Sequence, residues 1–197
     1  MRRFLTILAA AAAPALLTAA PASAQDSHAS FFSAIFQSAP AGAAGSRPQA
    51  SAIPRETVSY SGRYAAGTVV VSTQERRLYF VNGDGTAVRY GVGVGRPGFQ
   101  WGGSKAITRK AEWPAWTPPP QMLKRRPDLP RHMKGGPDNP LGARALYLGS
   151  SLYRIHGSNE PETIGQAVSS GCIRMTNDDV VDLYNRVRVG TRVVVVR

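Results

Sequence analysis

Three β-branched runs separated by short turns restrict the fold of this chain more than any other feature. The runs cover residues 68–73, 77–81 and 86–94, and they are rich in valine, threonine and aromatic residues, which favour strands. Asn82-Gly83-Asp84-Gly85 joins the last two runs and is a strong signal for a tight turn. The pattern predicts three antiparallel strands with one hairpin, in a sheet-rich domain rather than in alternating βαβ units.

Two further strands are predicted in the C-terminal half of the chain. Residues 143–148 and 152–156 have the composition of strands and are joined by a Gly-Ser-Ser turn. Alternation in the second strand places Leu152, Arg154 and His156 on one face. We therefore expect His156 at the end of a strand, just before a glycine turn, where an imidazole can be presented to a cleft.

A helix and a closing strand are predicted after these two strands. Thr176-Asn177-Asp178-Asp179 supplies a capping residue and the carboxylates that favour a helix N-terminus. An apolar stripe follows at i, i+3, i+4 and i+7, and Gly190 is expected to end the element. Residues 191–196 are expected to close the domain as a buried strand.

Residues 111–143 are predicted to form a long loop because proline, glycine and basic residues interrupt every periodic pattern. Long loops in compact domains usually serve as lids or binding walls. Trp113 and Trp116, with the basic residues, suggest a wall for a substrate that is partly apolar and partly anionic. The alternative is a proline-stiffened surface excursion whose tryptophans plug the edge of the core. We favour the binding wall.

Residues 93–98 fit the pattern G-x-G-x-x-G of dinucleotide sites. That site needs a helix directly after the glycines, so that its N-terminus can bind a pyrophosphate. The chain continues instead with Phe99-Gln100-Trp101-Gly102-Gly103, which has no helical periodicity. We therefore interpret these glycines as the end of a strand and a turn.

The N-terminus predicts export. Arginines at positions 2 and 3, an alanine-rich apolar run and Ala22-Ser23-Ala24 indicate a cleaved signal peptide over residues 1–24. Residues 25–60, rich in Ala, Ser, Gly and Pro, are predicted to be a flexible linker to a folded domain at 61–197. No later run approaches the roughly 20 apolar residues of a spanning helix, so no integral membrane segment is expected after cleavage. The formal charge of +12 favours an anionic partner, and export argues against nucleic acid as that partner.

Cys172 is the only cysteine of the 197 residues. A single cysteine in an exported chain has no internal disulfide partner, which leaves either a reactive thiol or a small buried hydrophobe. A thiol with one suitably placed imidazole is the smallest set of groups for nucleophilic catalysis by cysteine, and His156 precedes it. Three histidines and one cysteine lack the spacing of metal ligands, so neither a metal nor a cofactor is expected.

These residues carry a resemblance to a known family. His156-Gly157, a spacer, and Ser170-Gly171-Cys172-Ile173-Arg174-Met175 resemble the signature of the L,D-transpeptidase catalytic domain (the YkuD or ErfK/YbiS/YcfS/YnhG family), over roughly residues 67–197. That signature is a histidine, a spacer and Ser/Thr-His-Gly-Cys. Ser170 stands where the family has its second histidine, whereas the upstream histidine that serves the family as base is present. The resemblance implies a mainly β, sandwich-like domain with short helices.

The resemblance also implies an enzyme that acts on the stem peptides of peptidoglycan. Cys172 would be the nucleophile and His156 the base, and attack on a tetrapeptide stem would release D-alanine. Backbone N–H groups around Gly171 and Cys172 would stabilise the oxyanion. The residues expected to shape the site are Gly171, Ser170 and Gly157, and those expected either to bind substrate carboxylates or to be merely solvated or capping charges are Arg174 and Arg154.

The acyl acceptor stays open at this stage. An amine of a second stem would give a 3→3 cross-link, water would give an L,D-carboxypeptidase, and a protein amine would attach an envelope protein to the wall. A catalytically silent wall-binding module with a structural thiol is the alternative from another class. Nothing in the sequence separates the three acceptors.

Overall fold

The computed structural model of the chain describes residues 53–197, which form eleven strands and two α-helices. The strands are β1 Glu56–Ser59, β2 Val69–Ser72, β3 Arg77–Val81, β4 Thr86–Gly91, β5 Val94–Gly95, β6 Gly103–Glu112, β7 Arg144–Leu148, β8 Arg154–His156, β9 Ala167–Ser169, β10 Ile173–Arg174 and β11 Arg192–Val196. The helices are α1 Pro120–Arg125 and α2 Asn177–Arg186, and a single 3-10 turn covers Pro161–Thr163.

The three N-terminal runs form the antiparallel meander that the sequence predicts. Strand β2 pairs with β3, and β3 pairs with β4 across the tight turn at residues 82–85. Gly85 lies in that turn at φ +78°, a left-handed conformation that glycine adopts without the strain of a side chain. The nine-stranded sheet has the order β1-β4-β3-β2-β11-β6-β7-β8-β10, and β5 and β9 form a separate pair.

Strand β6 joins the two halves of this large sheet, and the sequence did not predict it. Its residues 103–106 pair with β11, whereas its residues 107–112 pair with β7. The register shifts between Ile107 and Arg109, and such a bulge bends a strand and increases its twist. The fold is the expected mainly β, sandwich-like architecture, and this bend carries the chain from one half to the other.

One apolar cluster packs the interior of the domain. It contains Val69 and Val71 of β2 and Val193 and Val195 of β11, together with Leu78 of β3 and Ile155 of β8. Val180, Leu183 and Val187 of the predicted helical stripe lie against the same cluster, and all three are buried. Thr176 caps α2 as expected, since its hydroxyl accepts a hydrogen bond from the Asp179 N–H at 3.2 Å. The helix ends at Arg186, before the expected end at Gly190.

The long loop differs from its prediction in two ways. Strand β6 continues to Glu112, inside the range 111–143 predicted to be a loop, and the short helix α1 lies within it. The loop also has a small core of its own, because Trp116, Leu129 and Leu141 are buried together. Trp113, in contrast, is 43% exposed. One tryptophan therefore stabilises the loop internally, and the other faces solvent.

The predicted signal peptide (1–24) and most of the predicted linker (25–60) lie outside the described residues. Strand β1 falls within the linker range, yet it pairs with β4 in the sheet. Arg55 extends this contact, since its guanidinium is 3.4 Å from a carboxylate oxygen of Asp182 on α2. Among residues 53–197, no helix is long and apolar enough to cross a membrane.

Candidate active site

Pairing of two short strands brings the histidine and the cysteine of the motif to the same part of the sheet. Strands β8 and β10 run parallel, with Ile173 opposite Ile155 and Arg174 opposite His156. The two isoleucines are fully buried in the apolar cluster. Because successive residues of a strand point to opposite faces, the side chains of His156 and Arg174 lie on the other face of the sheet.

The same alternation places one more functional side chain on that face. Arg154 precedes Ile155 on β8 and therefore points away from the apolar cluster. Cys172 lies in the turn just before β10, and its thiol forms hydrogen bonds with Arg154. The Cys172 Sγ atom lies 3.7 Å from the carbonyl oxygen of Leu152, which is two residues before β8 begins at Arg154. The sequence motif therefore folds into one patch that contains a thiol, an imidazole and two guanidinium groups.

His156 is 4% exposed and neutral in this setting. The pKa of His156 is lowered from 6.5 to about 3, mainly by burial and also by the positive charges of Arg174 and Arg154, while a hydrogen bond with Gly157 acts in the opposite direction. The Nδ1 atom is 2.6 Å from the Gly157 carbonyl oxygen. Because a carbonyl only accepts, Nδ1 carries the proton and Nε2 is the basic nitrogen.

The Gly157 position is required by a close approach rather than by flexibility. A Cβ atom there would lie 2.3 Å from the Asn177 Oδ1 atom and 3.0 Å from the Ala143 nitrogen. The same Asn177 oxygen accepts a hydrogen bond from the Ala143 N–H at 2.9 Å. Gly157 thus lets the end of β8 pack against the start of α2, and this packing buries the imidazole.

The Cys172 thiol is partly buried, and its protonated form is favoured. Burial raises the pKa of the Cys172 thiol above its ordinary value, and this effect exceeds the opposing influence of Arg154 and Arg174. Arg154 opposes it through both its charge and its hydrogen bonds, and Arg174 through charge alone. A raised thiol pKa beside a lowered imidazole pKa favours a neutral pair in the resting protein.

The turn before the cysteine is organised by Ser169, which the sequence did not single out. Its buried hydroxyl accepts a hydrogen bond from the Gly171 N–H at 3.1 Å and donates one to the Cys172 carbonyl at 2.6 Å. The Ser170 hydroxyl forms no hydrogen bond with any residue of 53–197. The Gly171 N–H, expected as an oxyanion donor, is thus already paired within the turn, whereas the Cys172 N–H is not.

Gly171 itself has to be glycine. Its φ is +106°, and a Cβ atom there would lie 2.6 Å from the ring of Tyr153 and 3.1 Å from the Phe99 carbonyl oxygen. Both the left-handed backbone and the lack of space exclude a side chain. The glycine before the cysteine, expected to shape the site, is therefore explained by conformation and packing together.

The two arginines of the site differ in their partners. Arg174 forms an ion pair with Glu160 at 2.8 Å, and both side chains are mostly buried. The Arg154 guanidinium lies 5.3 Å from the centre of the Tyr147 ring, and its buried Nε atom has no hydrogen-bond partner within residues 53–197. Arg154 thus has no carboxylate partner within residues 53–197, while the charge of Arg174 is balanced by Glu160.

The glycines that resemble a nucleotide motif support the site instead. Gly93 exchanges two backbone hydrogen bonds with Arg174, at 2.8 and 2.9 Å, and β5 pairs with β9. A Cβ atom on Gly93 would approach the Thr163 carbonyl oxygen to 3.0 Å. No helix follows these glycines, since β6 is the next element. The interpretation as a strand end and a turn is confirmed.

Part of the long loop reaches the neighbourhood of the cysteine turn. The Arg125 guanidinium, at the end of α1, lies 5.7 Å from the ring centre of Phe99, whose carbonyl oxygen faces Gly171. On the other side, the Asn159 side chain donates to the Asp138 carbonyl oxygen at 3.2 Å. Within the described residues no group of three or more His, Cys, Asp or Glu is arranged to hold a metal ion.

The fold and the site define a β-rich domain in which a thiol and an imidazole lie near the same two arginines, at the ends of two paired strands. A thiol and an imidazole are the groups that nucleophilic chemistry by cysteine requires. A sequence profile of the YkuD L,D-transpeptidase catalytic domain matches residues 66–195, a range that contains both site strands. The chain belongs to the L,D-transpeptidase catalytic domain family.

Individual relatives agree with this assignment. The probable L,D-transpeptidase ErfK/SrfK of Escherichia coli (strain K12) is 42% identical over 137 residues, which are 65% of this chain and 43% of that protein. The chain thus spans less than half the length of this curated relative.

Two solved structures show the same fold. An L,D-transpeptidase from Mycobacterium smegmatis has a TM-score of 0.54 at 17% identity, over 66% of this chain and 58% of that one. L,D-transpeptidase 3 from Mycobacterium tuberculosis, in complex with a faropenem-derived adduct, has a TM-score of 0.52 at 18% identity, over 66% and 60%. At these identities the likeness concerns the fold alone.

Proposed function

We propose that this protein is an exported peptidoglycan L,D-transpeptidase in which Cys172 is the nucleophile and His156 the base. The observation that supports the proposal is the parallel pairing of β8, which ends at His156, with β10, which Cys172 directly precedes, in a member of this family. The net charge of +12 suits an anionic wall polymer as the partner. The substrate is a tetrapeptide stem, and the acceptor is an amine of a second stem.

The first half of the reaction forms a thioester. His156 takes the thiol proton on Nε2, and the Cys172 sulfur attacks the carbonyl carbon that links the diamino acid of the stem to D-alanine. The bond between that carbon and the D-alanine nitrogen breaks, and His156 returns the proton to the leaving amine. The low pKa of His156 favours this return. Together with the raised pKa of Cys172, it also means that the proton leaves sulfur only as the sulfur–carbon bond forms.

The second half transfers the acyl group. An amine of a second stem attacks the thioester carbon, the carbon–sulfur bond breaks, and the proton of the amine passes through His156 back to sulfur. The Cys172 N–H, which has no partner within residues 53–197, is the donor placed to stabilise the oxyanion in both halves. The products are a 3→3 cross-linked dimer and free D-alanine.

Arg154 and Arg174 serve this reaction with their charges. The Arg154 guanidinium forms no ion pair within residues 53–197, so its charge is available for a carboxylate of the stem, which a guanidinium fits with parallel hydrogen bonds. Arg174 is balanced by Glu160, so its contribution is the electrostatic field at the thiol and at the imidazole. We therefore assign direct carboxylate binding to Arg154 in the first place.

The test is release of D-alanine from purified tetrapeptide stems. Cys172→Ala and His156→Ala should each lower the rate by at least about 10³-fold, since one removes the nucleophile and the other the base. Circular dichroism and the melting temperature establish that both variants are folded. Turnover by folded Cys172→Ala at the wild-type rate would remove the nucleophile assignment.

Mass spectrometry of the same digest separates the acceptors. Cross-linked dimers identify a second stem, tripeptides identify water, and wall fragments joined to a protein amine identify envelope-protein attachment. We expect dimers, and tripeptides alone would convert the proposal into an L,D-carboxypeptidase.

The non-enzymatic alternative, a wall-binding module, is tested with a thiol-reactive carbapenem. An L,D-transpeptidase structure of the same fold in complex with imipenem, a carbapenem, supports this choice of probe. We expect the wild-type protein to gain the mass of one carbapenem and Cys172→Ala to gain none. A wild-type protein that stays unlabelled while binding peptidoglycan would favour the silent module.

A further inference from the structure

The backbone groups of Gly171 and Cys172 are unequally bonded. Ser169 pairs with the Gly171 N–H and with the Cys172 carbonyl oxygen. The Gly171 carbonyl oxygen accepts a hydrogen bond from the indole nitrogen of Trp101 at 2.8 Å. Of the two N–H and two C=O groups, only the Cys172 N–H has no partner within residues 53–197. Most backbone N–H groups of a folded protein are paired, and Cys172 is only partly buried, so its N–H can bond to a group outside the chain.

Trp101 is held rigidly where it makes this bond. Its side chain is 9% exposed, and its ring stacks on that of Tyr153 with centroids 4.5 Å apart and planes 6° apart. The Lys105 ammonium lies over both rings, 5.7 Å from the centre of Trp101 and 5.9 Å from that of Tyr153. Such a fixed donor determines where the Gly171 carbonyl points.

Peptide planarity passes this constraint to the cysteine. The Gly171–Cys172 bond is trans, as are all peptide bonds of the described chain, so its C=O and N–H point in opposite directions. When Trp101 binds the Gly171 oxygen on one side, the Cys172 N–H is aimed to the other side. Both the N–H and the sulfur belong to Cys172, which places the donor next to the carbonyl that the sulfur attacks.

We propose that Trp101 is a positioning residue for the acyl transfer: its indole N–H orients the Gly171–Cys172 peptide so that the Cys172 N–H stabilises the oxyanion. The inference rests on the proposed function, because only a reaction with a developing oxyanion uses that N–H. Tyr153 assists by stacking on the indole, and its ring also occupies the space that a side chain on Gly171 would need.

The structural alternative is that Trp101 only fills the interior beside the turn. The two roles differ in which reactions of the Cys172 thiol would be slowed when Trp101 is replaced. A filling role affects every reaction of the thiol through loosening of the site. An orienting role affects reactions that build charge on an oxygen and leaves simple alkylation of the thiol unchanged, since alkylation by iodoacetamide needs no oxyanion donor.

The experiment replaces the indole N–H. Trp101→Phe keeps an aromatic ring against Tyr153, and β-(3-benzothienyl)alanine introduced at position 101 keeps the full shape with sulfur in place of N–H. Tyr90→Phe is the control for loss of a buried aromatic hydrogen bond, because the fully buried Tyr90 donates to Asp182 at 2.6 Å away from the cysteine turn.

Three quantities are measured on each protein: kcat and KM for D-alanine release, the rate of iodoacetamide alkylation at one pH, and the inhibition constant of a stem-peptide aldehyde. The aldehyde adds the thiol to give a hemithioacetal, whose oxygen occupies the oxyanion position. We expect both replacements at position 101 to lower kcat by about 10- to 100-fold and to weaken aldehyde inhibition comparably, less than the 10²- to 10³-fold loss on removal of a donor itself. KM and alkylation should stay within about twofold, as should all three quantities in Tyr90→Phe.

Two results would overturn the inference. If the benzothienyl protein turns over like the wild type, the N–H has no role. If alkylation falls in proportion to kcat, Trp101 only maintains the packing. Should Trp101→Phe fail to fold, the benzothienyl protein still gives the answer. A wild-type protein without any D-alanine release refutes the proposed function instead, so the two failures are distinct.

Discussion

The valine-rich half of the sheet and the edge that carries the cysteine are built on different principles. In the first, all four residues of β2 are buried, and the valines of β11 lie beside those of β2 in parallel register. In the second, β8 has three residues and β10 two, and each is followed or preceded by a turn. The valine-rich half is held by apolar burial along regular strand pairs, and apolar burial is a non-directional force.

The cysteine edge is held by specific hydrogen bonds between side chains and backbone. Ser169 and Trp101 bind three backbone groups of the turn, and Asn177 binds the chain before β7. His156, Ser158 and Ser169 are buried polar residues of this region. Directional contacts fix the positions of individual atoms, whereas apolar packing mainly fixes the layers. The free energy of unfolding should therefore depend most on the valine-rich half of the sheet, and the rate of D-alanine release on the cysteine edge.

The largest effect on stability is expected from Leu78→Ala in β3. Leu78 is fully buried in the apolar cluster, and truncation of such a leucine costs about 2–5 kcal/mol through lost transfer energy and a cavity. Urea unfolding measures the change in the free energy of unfolding. D-Alanine release per folded molecule should stay at the wild-type rate, because the leucine lies outside the cysteine edge.

Tyr79→Phe is the matched control on the same strand. Tyr79 is only partly buried, and its hydroxyl bonds to the exposed Glu75, so its loss should cost no more than about 1 kcal/mol. If Leu78→Ala slowed the folded enzyme as much as it destabilised it, the proposed division between the two regions would be wrong.

The same division explains what sequence patterns could predict. The meander β2–β4, the pair β7–β8, the cap of α2 and the closing strand β11 all follow from periodicity and turn residues, and each is confirmed. Strand β6 was missed because its Gly-Ser-Lys start and exposed positions give no clear alternation. Strands β5, β9 and β10 are too short for any period to be recognised.

The site was predicted through its motif and not through its contacts. His156 and Cys172 were chosen by residue type and resemblance, and the parallel pairing of β8 with β10 brings their strands together. Ser169, Trp101 and Glu160 were not identified. Their roles arise from long-range contacts, such as Trp101 with Gly171, which no local pattern encodes.

The second largest effect is a pH dependence of stability, which we expect to arise from His156. Its pKa is about 3 in the folded protein against 6.5 without burial, so between these values the unfolded chain binds a proton that the folded chain does not. The contribution of His156 to the free energy of unfolding is fully present above about pH 6.5 and is lost as the pH falls towards 3. At pH 5 the loss should be about 2 kcal/mol relative to pH 8.

Urea unfolding of the wild type and of His156→Gln at pH 8 and pH 5 measures this loss. The variant should lack the histidine contribution, so its stability should decrease less on acidification. His132, exposed in the long loop, provides the control, because burial causes the effect and His132→Gln should keep the wild-type slope. Equal slopes for wild type and His156→Gln would show that the imidazole is not desolvated.

The smallest expected effect is a change in the pKa of the Cys172 thiol. It compares two ion pairs, one in each region of the sheet. Glu160 balances Arg174 at 2.8 Å with both side chains mostly buried, whereas Glu56 pairs with Arg89 between β1 and β4 at an exposed edge. The charge of Arg174 lowers the pKa of Cys172, and a buried pair is weakly screened by solvent. Glu160→Gln should therefore leave that charge unbalanced and lower the pKa of the Cys172 thiol.

The rate of iodoacetamide alkylation against pH gives this pKa directly, since the thiolate is the reacting form. In Glu160→Gln the midpoint should move to lower pH, while Glu56→Gln, which removes the same charge from a solvated pair, should leave it in place. The direction of the shift in Glu160→Gln is the informative result. Glu56 has no electrostatic contact with the thiol, so its removal should leave the pKa of Cys172 unchanged. A midpoint that moves equally in both variants would mean that net charge, and not the buried Glu160–Arg174 pair, controls the reactivity of Cys172.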